Sequence, residues 1–600
     1  MASILCVVCL WLFSGMTAHG GTVLTDGLGR RVGEFPARMP PKRRQVAIFY
    51  WTWHAHFSKQ LPPRNNAQII QEHPEARNDF AHPAWENTPS GTSYHWDEPL
   101  FGYYSSADMF VLRKHASLLA DAGVDAVIFD ATNGTFTWKD GYDPLLEAFS
   151  QAMKDGVRSP KFAFMLNFAP NANTAQELRM LYQDIYKPGR HRELWYFWDG
   201  KPLIMAHPKA LDPKSPLDAE ILAFFTFRKN EPTYFVKDIP YESATWGWCS
   251  VFPQAHYGMH GSWTEEMTVS VAQNASVHGL VAMNDFRGGV FGRGYASGEY
   301  RAMFPLCNGT VAIMTRQNPQ AWQWGLNFQQ QWDRAILLDP DMVFVTGWNE
   351  WIAGRHSVWQ GTENAFPDQY SPEFSRDAEP SAGILKDHFY CQLVANIRRY
   401  KGGRRAFHIR KSQADPLETP EEWTKAQTLR DYANDTPARY ADGWQGIHFN
   451  SPAQPNDILA CNVLYDDENL YFRVETAKPI SKPDGQGWMR LLMDLTGKAH
   501  GEWEGFHYTT AYNVETDRMD VRKFTGHEAQ SVNVGEARYI VHDKVLMVAI
   551  PRKCVECDGD EPPTFGFKWC DGQSNPEDIM QVYTQGDAAP DARFRYTISK

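Results

Sequence analysis

The sequence predicts an α/β fold: a (β/α)8 TIM barrel followed by an antiparallel β-sandwich domain. Three observations carry that prediction. From residue 45 to about residue 400, short apolar runs alternate with segments of helical period. The runs are apolar along their whole length, as strands buried on both faces of a parallel sheet must be. Beyond about residue 405 the pattern changes to period-2 alternation broken by turn residues, the mark of antiparallel strands with one face in water. At 600 residues the chain is too long for a single core.

Taken in order, "QVAIFYWTWH" (Gln45–His54) is the first barrel strand. A long polar, proline-rich insertion leads to "ADMFVLRKHASLLADAGVD". There Met109, Leu112, Ala116 and Leu119 recur at helical spacing, and Gly123 ends the helix. "AVIFDATN" is the next strand, a helix covers about 145–153, and the strand "KFAFMLNFAP" follows. A helix over about 174–186 precedes the strand "GKPLIMAHP". "ATWGWCSVFPQ", "GLVAMNDFRGG" and "DMVFVTGWNEW" read as later strands, with helices over about 265–277 and 327–338. Seven strands are distinct and the eighth is not. "HFYCQLVANIRRYKGG" (His388–Gly403) is the helix that closes the barrel, and "ADPLETPEEW" reads as a linker. The predicted organisation is a signal peptide over 1–20, the barrel over 45–405, a linker over 406–430 and the sandwich over 431–600.

Composition narrows the function. Aromatic residues make up 14% of the chain, with 22 Trp, 25 Tyr and 35 Phe. Large rings fill cores, and they also stack on flat apolar ligand faces such as the C–H face of a sugar. A net charge of -12 argues against nucleic acid, whose phosphates are gripped by clustered Lys and Arg. The N-terminal "MASILCVVCLWLFSGMTAHGG" has an apolar stretch from Ile4 to Phe13 followed by small residues, which reads as a secretory signal and predicts a secreted or periplasmic protein. No later stretch is long and apolar enough for a membrane span. In an exported chain, Cys570 with Cys554 or Cys557 reads as a local disulfide rather than a zinc site, since no fourth ligand completes the spacing.

Barrel enzymes gather their chemistry at the C-terminal ends of the strands. Those ends hold Trp51, Trp53 and His54; Asp130; Asn167; His207; Trp248; Asp285 and Arg287; and Trp348, Asn349, Glu350 and Trp351, with Arg355 close behind. Carboxylates, amides and imidazoles beside flat rings suit a polyhydroxylated ligand. Glycosidic cleavage needs two carboxyl groups, and Glu350 is the first candidate, with Asp130 as its partner. The tryptophans are candidate sugar platforms and the other residues candidate substrate contacts. No His-x-His or His-x3-His pairing points to a metal. Nothing in the sequence requires a cofactor.

"GYYSSADMFVLRKHASLLADAGVDAVIFD" and, further on, "TGWNEW" resemble the glycoside hydrolase family 71/99-like barrels, the endo-α-mannosidase/WbsX-like group. The resemblance covers roughly residues 45–400. In that family the motif runs Asn-Glu-Trp-x-Glu with both glutamates catalytic, which implies a catalytic role for Glu350. The second glutamate would fall at Ala353, so another carboxyl (Asp130, Asp285 or Glu363) supplies its function, or the chemistry differs, or the site only binds. The C-terminal part is similar to the carbohydrate-binding module family 9/DOMON-like sandwiches, which implies a glycan-binding or buttressing module. The resulting expectation is an exported glycoside hydrolase acting on a polysaccharide or complex glycan. The rival is a non-catalytic glycan-binding protein on a degenerate barrel, and glycosyl transfer ranks last.

Overall fold

The computed structural model describes residues 21–33, 42–86, 92–231, 233–235, 238–240, 243–259, 263–352, 354–403, 406–483, 485, 487–495, 503–526, 528–559 and 561–599. The expected signal peptide over 1–20 and Ala353 lie outside the described residues.

Eight of the eleven strands of the first sheet run parallel: β1 (Gln45–Tyr50), β2 (Ala126–Ala131), β3 (Lys161–Leu166), β4 (Lys201–Met205), β5 (Thr226–Asn230), β6 (Thr245–Trp246), β7 (Glu266–Ser270) and β8 (Met342–Thr346). β7 pairs with β8, β8 with β1, and β1 through β6 follow one another. Between β6 and β7 the ladder is interrupted. There His256–Met259 pairs antiparallel with β7, and the Gly247 N–H donates to Glu266 Oε2 at 2.9 Å. The sheet is therefore barrel-like and nearly closed.

Six helices run alongside: α1 (Met109–Ala122), α2 (Lys139–Lys154), α3 (Ala172–Leu181), α4 (Pro216–Phe224), α5 (Leu326–Leu338) and α6 (His388–Lys401). Among the described residues no helix separates β5 from β6 or β6 from β7. α1 starts where Asp108 accepts from the Phe110 and Val111 N–H groups. It ends at Gly123, whose φ of +88° is open to glycine and whose N–H caps the last turn. Leu112, Ala116 and Leu119 are fully buried on its inner face, while Met109 is exposed.

Three strand assignments change. The segment expected as a helix over 265–277 contains β7, whose five residues are all buried. With no polar face to mark a period, buried strand and buried helix look alike in sequence. "GLVAMNDFRGG" contributes only Gly279–Leu280, paired in a small hairpin with Ala275–Ser276. β5, "TFRKN", went unnoticed because it carries charge inside. Arg228 meets Glu265 at 2.6 Å in a buried pair, and Asn230 donates to the Leu166 carbonyl at 2.6 Å.

The C-terminal residues build a second, 15-stranded sheet, largely antiparallel, that turns through the long strand Ser531–His542. Residues of both its halves share one core, with Phe472 edge-on to Phe567 at 5.3 Å and Leu470, Val548, Leu491 and Tyr596 around them. Residues 407–411, expected as linker, already pair into this sheet. So does Thr22–Thr25, which pairs with Tyr596 and Arg595. A single apolar cluster joins the two sheets through Tyr390, Tyr583 and Phe594, and Tyr583 donates to Asp387 at 2.8 Å. Cys570 and Cys554 are free thiols, Cys570 buried, so the local disulfide expected there is not formed between them. Among the described residues no helix is long and apolar enough to cross a membrane.

Candidate active site

β8 is continued by an extended segment that pairs with residues 376–379. The Gly347 N–H donates to the Arg376 carbonyl (2.8 Å), and Ala378 and Glu379 donate back to Gly347 and Trp348. Only glycine fits at 347, because a Cβ there would stand 2.3 Å from the Trp51 ring. This pairing sets Arg376 and Asp377 beside Glu350.

Glu350 Oε2 accepts from Arg376 Nε (3.0 Å) and from Gln369 Nε2 (3.0 Å), leaving Oε1 without a donor among the described residues. Its backbone N–H donates to Asp377 Oδ1 at 2.7 Å, and Asp377 Oδ2 accepts from Trp96 Nε1 at 2.9 Å. Arg376 Nη2 reaches Asp368 at 2.9 Å and Nη1 reaches Asn274 at 3.3 Å. One guanidinium edge is thus divided between two carboxylates, whereas Arg44 spends the same edge on Asp339 alone. The Glu350 side chain is 7% exposed and that of Asp368 35%.

Burial raises Glu350 well above the ordinary glutamate range, with Arg376 opposing and Asp368 and Asp377 adding to the rise. Asp130, at the end of β2, is buried and pushed up to about 6, chiefly by desolvation. Its Oδ1 accepts from the Thr132 N–H (3.0 Å) and hydroxyl (2.8 Å), and Asp368 and Arg376 are close enough to act on its charge. Behind it Asn167 donates to Glu177 at 2.6 Å, and burial lifts Glu177 to about 8. Trp248, partly exposed, lies 5.3 Å from the Arg376 guanidinium and is ringed by Phe49, Phe168 and Tyr234. In the loop after β2, Phe136 stacks on Trp138 (5.0 Å, 15°) and is 54% exposed; His56 and Phe57 lean on Trp138, and Trp53 on Phe57.

The structure therefore sets Glu350 and Trp248 against Arg376, with Asp130 near enough to feel its charge, Asn167 held by Glu177, and Trp53 beside the exposed aromatic pair. Several other predicted contacts take structural positions. Trp348 is fully buried in the core against His115 and Tyr390. Trp351 stacks on Trp96 (4.5 Å, 11°) and donates to Glu379 at 2.6 Å. Neither is a sugar platform, because no face is open. Trp51 is buried over Gly347. Asn349 ties β8 to β1 by accepting from the Trp51 N–H (2.9 Å) and donating to its carbonyl (3.1 Å). Arg355 is buried among Phe80, Trp85 and Tyr94 and donates to Asn364 (2.7 Å); the cation acting on Glu350 is Arg376. Asp285 and Arg287 pair with each other at 2.8 Å, and Arg287 clamps the hairpin carbonyls of Gln360 and Gly361. Exposed Glu363 lies in that same hairpin. His54 is buried and held neutral, its pKa pushed down to about 3 by desolvation. His207 is shifted down too, by burial and Lys229.

Asp368, Gln369, Arg376 and Asp377 were missed by the sequence reading. They lie in the segment between β8 and α6, where a barrel's last loop carries function, but no period or motif singles them out. Neither a known protein family nor a curated protein matches the chain. Among solved structures, the GH99 endo-α-mannosidase of Bacteroides thetaiotaomicron is similar at 13% identity and a TM-score of 0.31, over 60% of this chain and 97% of that one. A glycoside hydrolase-like protein is similar at 10% identity and 0.30, over 61% and 96%. The α-fucosidase of Thermotoga maritima is similar at 11% identity and 0.23, over 86% and 94%. Likeness of this degree assigns no activity.

Proposed function

We propose that the protein is an exported glycoside hydrolase working at the mouth of a (β/α)8 barrel, with Glu350 and Asp130 as its carboxyl pair. The observation that carries this reading is the matched state of those two side chains. Each has one oxygen fixed by protein donors and the other unclaimed, and burial raises the proton affinity of both. Glycosidic cleavage needs one carboxyl to protonate the leaving oxygen and one to act on the anomeric carbon or on a water. Glu350 fits the acid. Its proton would sit on Oε1 while Oε2 accepts from Arg376 and Gln369. Asp130, with a value of about 6, is ionised at neutral pH and fits the partner. Trp248 and the Phe136–Trp138 pair offer flat faces for sugar rings. In this reading the C-terminal sheet is a sandwich that braces the barrel, as the shared apolar cluster favours.

The test is release of reducing ends from a panel of plant, algal and microbial polysaccharides by wild type, Glu350→Gln and Asp130→Asn. Hydrolysis by wild type, reduced about 10²–10⁴-fold in each variant, is expected. Full activity in a folded Glu350→Gln would refute the assignment. A second reading, glycan binding without catalysis, is favoured by the narrow access to both carboxyls, 7% for the Glu350 side chain and 5% for Asp130. Retention on one polysaccharide with no release by any of the three proteins would select it.

A further inference from the structure

Outside the group around Glu350, where the two sheets meet, four aspartates converge in a largely buried setting. Asp431 and Asp435 follow the short strand Leu429–Arg430 of the second sheet. Asp587 opens the strand Asp587–Ala589, and Asp591 lies in the bend that follows it. One oxygen from each of Asp431, Asp435 and Asp587 lies within 4.8 Å of the others. Asp435 is 0% exposed, and neither of its carboxylate oxygens has a hydrogen-bond partner. Asp431 Oδ2 and Asp591 Oδ2 are likewise buried without partners. Asp587 is aimed by the N–H groups of Ile458 and Ala588, which hold its carboxylate in a fixed orientation.

The nearby cations do not satisfy this group. Lys114 Nζ stands 3.9 Å from Asp591. Lys568, fully buried, donates to the Pro590 carbonyl. Arg113 donates to Ser117 (2.5 Å) and to the Ala433 carbonyl (3.1 Å). An orphaned carboxylate without water is among the costliest groups a core can hold, unless it is protonated or shared with a cation. Burial and mutual repulsion raise the proton affinity of Asp431, Asp435 and Asp587 together, Asp587 to about 7.

We propose that Asp431, Asp435 and Asp587, with Asp591 behind them, bind one calcium ion that fastens the segment at 431–435 to the turn at 587–591. Carboxylate oxygens are hard donors suited to calcium or magnesium, not to zinc or copper. Calcium takes oxygens at about 2.3–2.6 Å, so ligands on opposite sides stand about 5 Å apart. Three oxygens that all lie within 4.8 Å of one another fall inside that span. Magnesium demands a near-ideal octahedron and gives up its water reluctantly, so a buried site built from carboxylates favours calcium. Backbone carbonyls and waters would complete the shell.

Metal content and thermal unfolding of the full chain test this directly. Wild type, desalted into calcium-free buffer, is expected to retain about one calcium per chain. A strong chelator should lower its Tm by several degrees, and calcium, but not equal magnesium, should restore it. D435N, which keeps the shape and removes the charge, is expected to retain none and to show no response of Tm to calcium. If D435N does not fold, D431N is read in its place. Two results would overturn the proposal. One is wild type holding no calcium, with a Tm indifferent to chelator and to millimolar calcium; the carboxyls then share protons instead. The other is a folded variant that keeps the ion, which would put calcium elsewhere, such as at His73, Glu75 and His82.

Discussion

Replacing Arg376 by methionine removes the one guanidinium that serves both Glu350 and Asp368. The side chains of Arg376 and Glu350 are 1% and 7% exposed, so solvent does little to screen the loss. Three hydrogen bonds disappear, at 3.0, 2.9 and 3.3 Å, and Glu350 keeps only Gln369. Breaking a buried pair by deleting one partner costs about 3–5 kcal/mol once the remaining carboxyl is ionised, because its charge is then stranded. The cost must depend on pH, and its sign follows from linkage. Burial has already raised Glu350 above its ordinary 4.5, so its contribution to stability is fully present below 4.5 and is lost as pH rises through the folded value. Without Arg376 the folded value rises further. The deficit of Arg376→Met relative to wild type should therefore widen between pH 5 and pH 8. Urea unfolding followed by tryptophan fluorescence at those pH values measures it. In a Glu350→Gln background the pH dependence should vanish. A deficit below about 1 kcal/mol, or one equal at both pH values in the wild-type background, would refute the argument.

Other consequences are as direct. Activity should rise with pH through about 6 as Asp130 ionises, and fall again as Glu350 loses its proton; a pH–rate profile flat across 5–7 would remove Asp130 from the pair. Trp351→Ala should destabilise the fold by about 3–5 kcal/mol, seen as a lowered unfolding midpoint, since its ring is buried against Trp96. Trp248→Ala should cost less stability and weaken glycan binding measured by calorimetry, because that ring is only partly buried and lies beside Arg376. Gly141→Ala would place a Cβ 1.9 Å from the Thr52 carbonyl oxygen, so α2 must shift away from the end of β1. Overpacking of that kind costs about 1–3 kcal/mol and should lower Tm.

Much of the architecture was legible because it rests on local patterns. α1 declares itself by its Asp108 cap, its apolar stripe and Gly123, and β1, β2, β3 and β8 by unbroken apolar runs. β5 and β7 were not legible for opposite reasons. β5 hides charge that only its partner Glu265 explains, and β7 is buried on every side and so has no period to read. The site divides the same way. Glu350 stood out as a carboxylate at a strand end. Its cation did not, because Arg376 lies 26 residues on and reaches it through backbone pairing that no spacing rule predicts. Trp348 and Trp351 misled for a plain reason: tryptophan beside a carboxylate looks alike in sequence whether its face meets sugar or another ring.

The pairing of Thr22–Thr25 with the last strand has a consequence for synthesis. Arg595 bonds to Thr25 across 570 residues of chain. At roughly 5–20 residues per second, a ribosome takes roughly half a minute to two minutes to bring those partners together. Through that interval Thr22–Thr25 lacks its partner strand and presents an open edge to neighbouring chains. Contacts of such long range also close late in folding. Completion of the second sheet therefore waits on Arg595–Ser599 to emerge, and a chain cut short after the barrel would leave that edge without its partner strand.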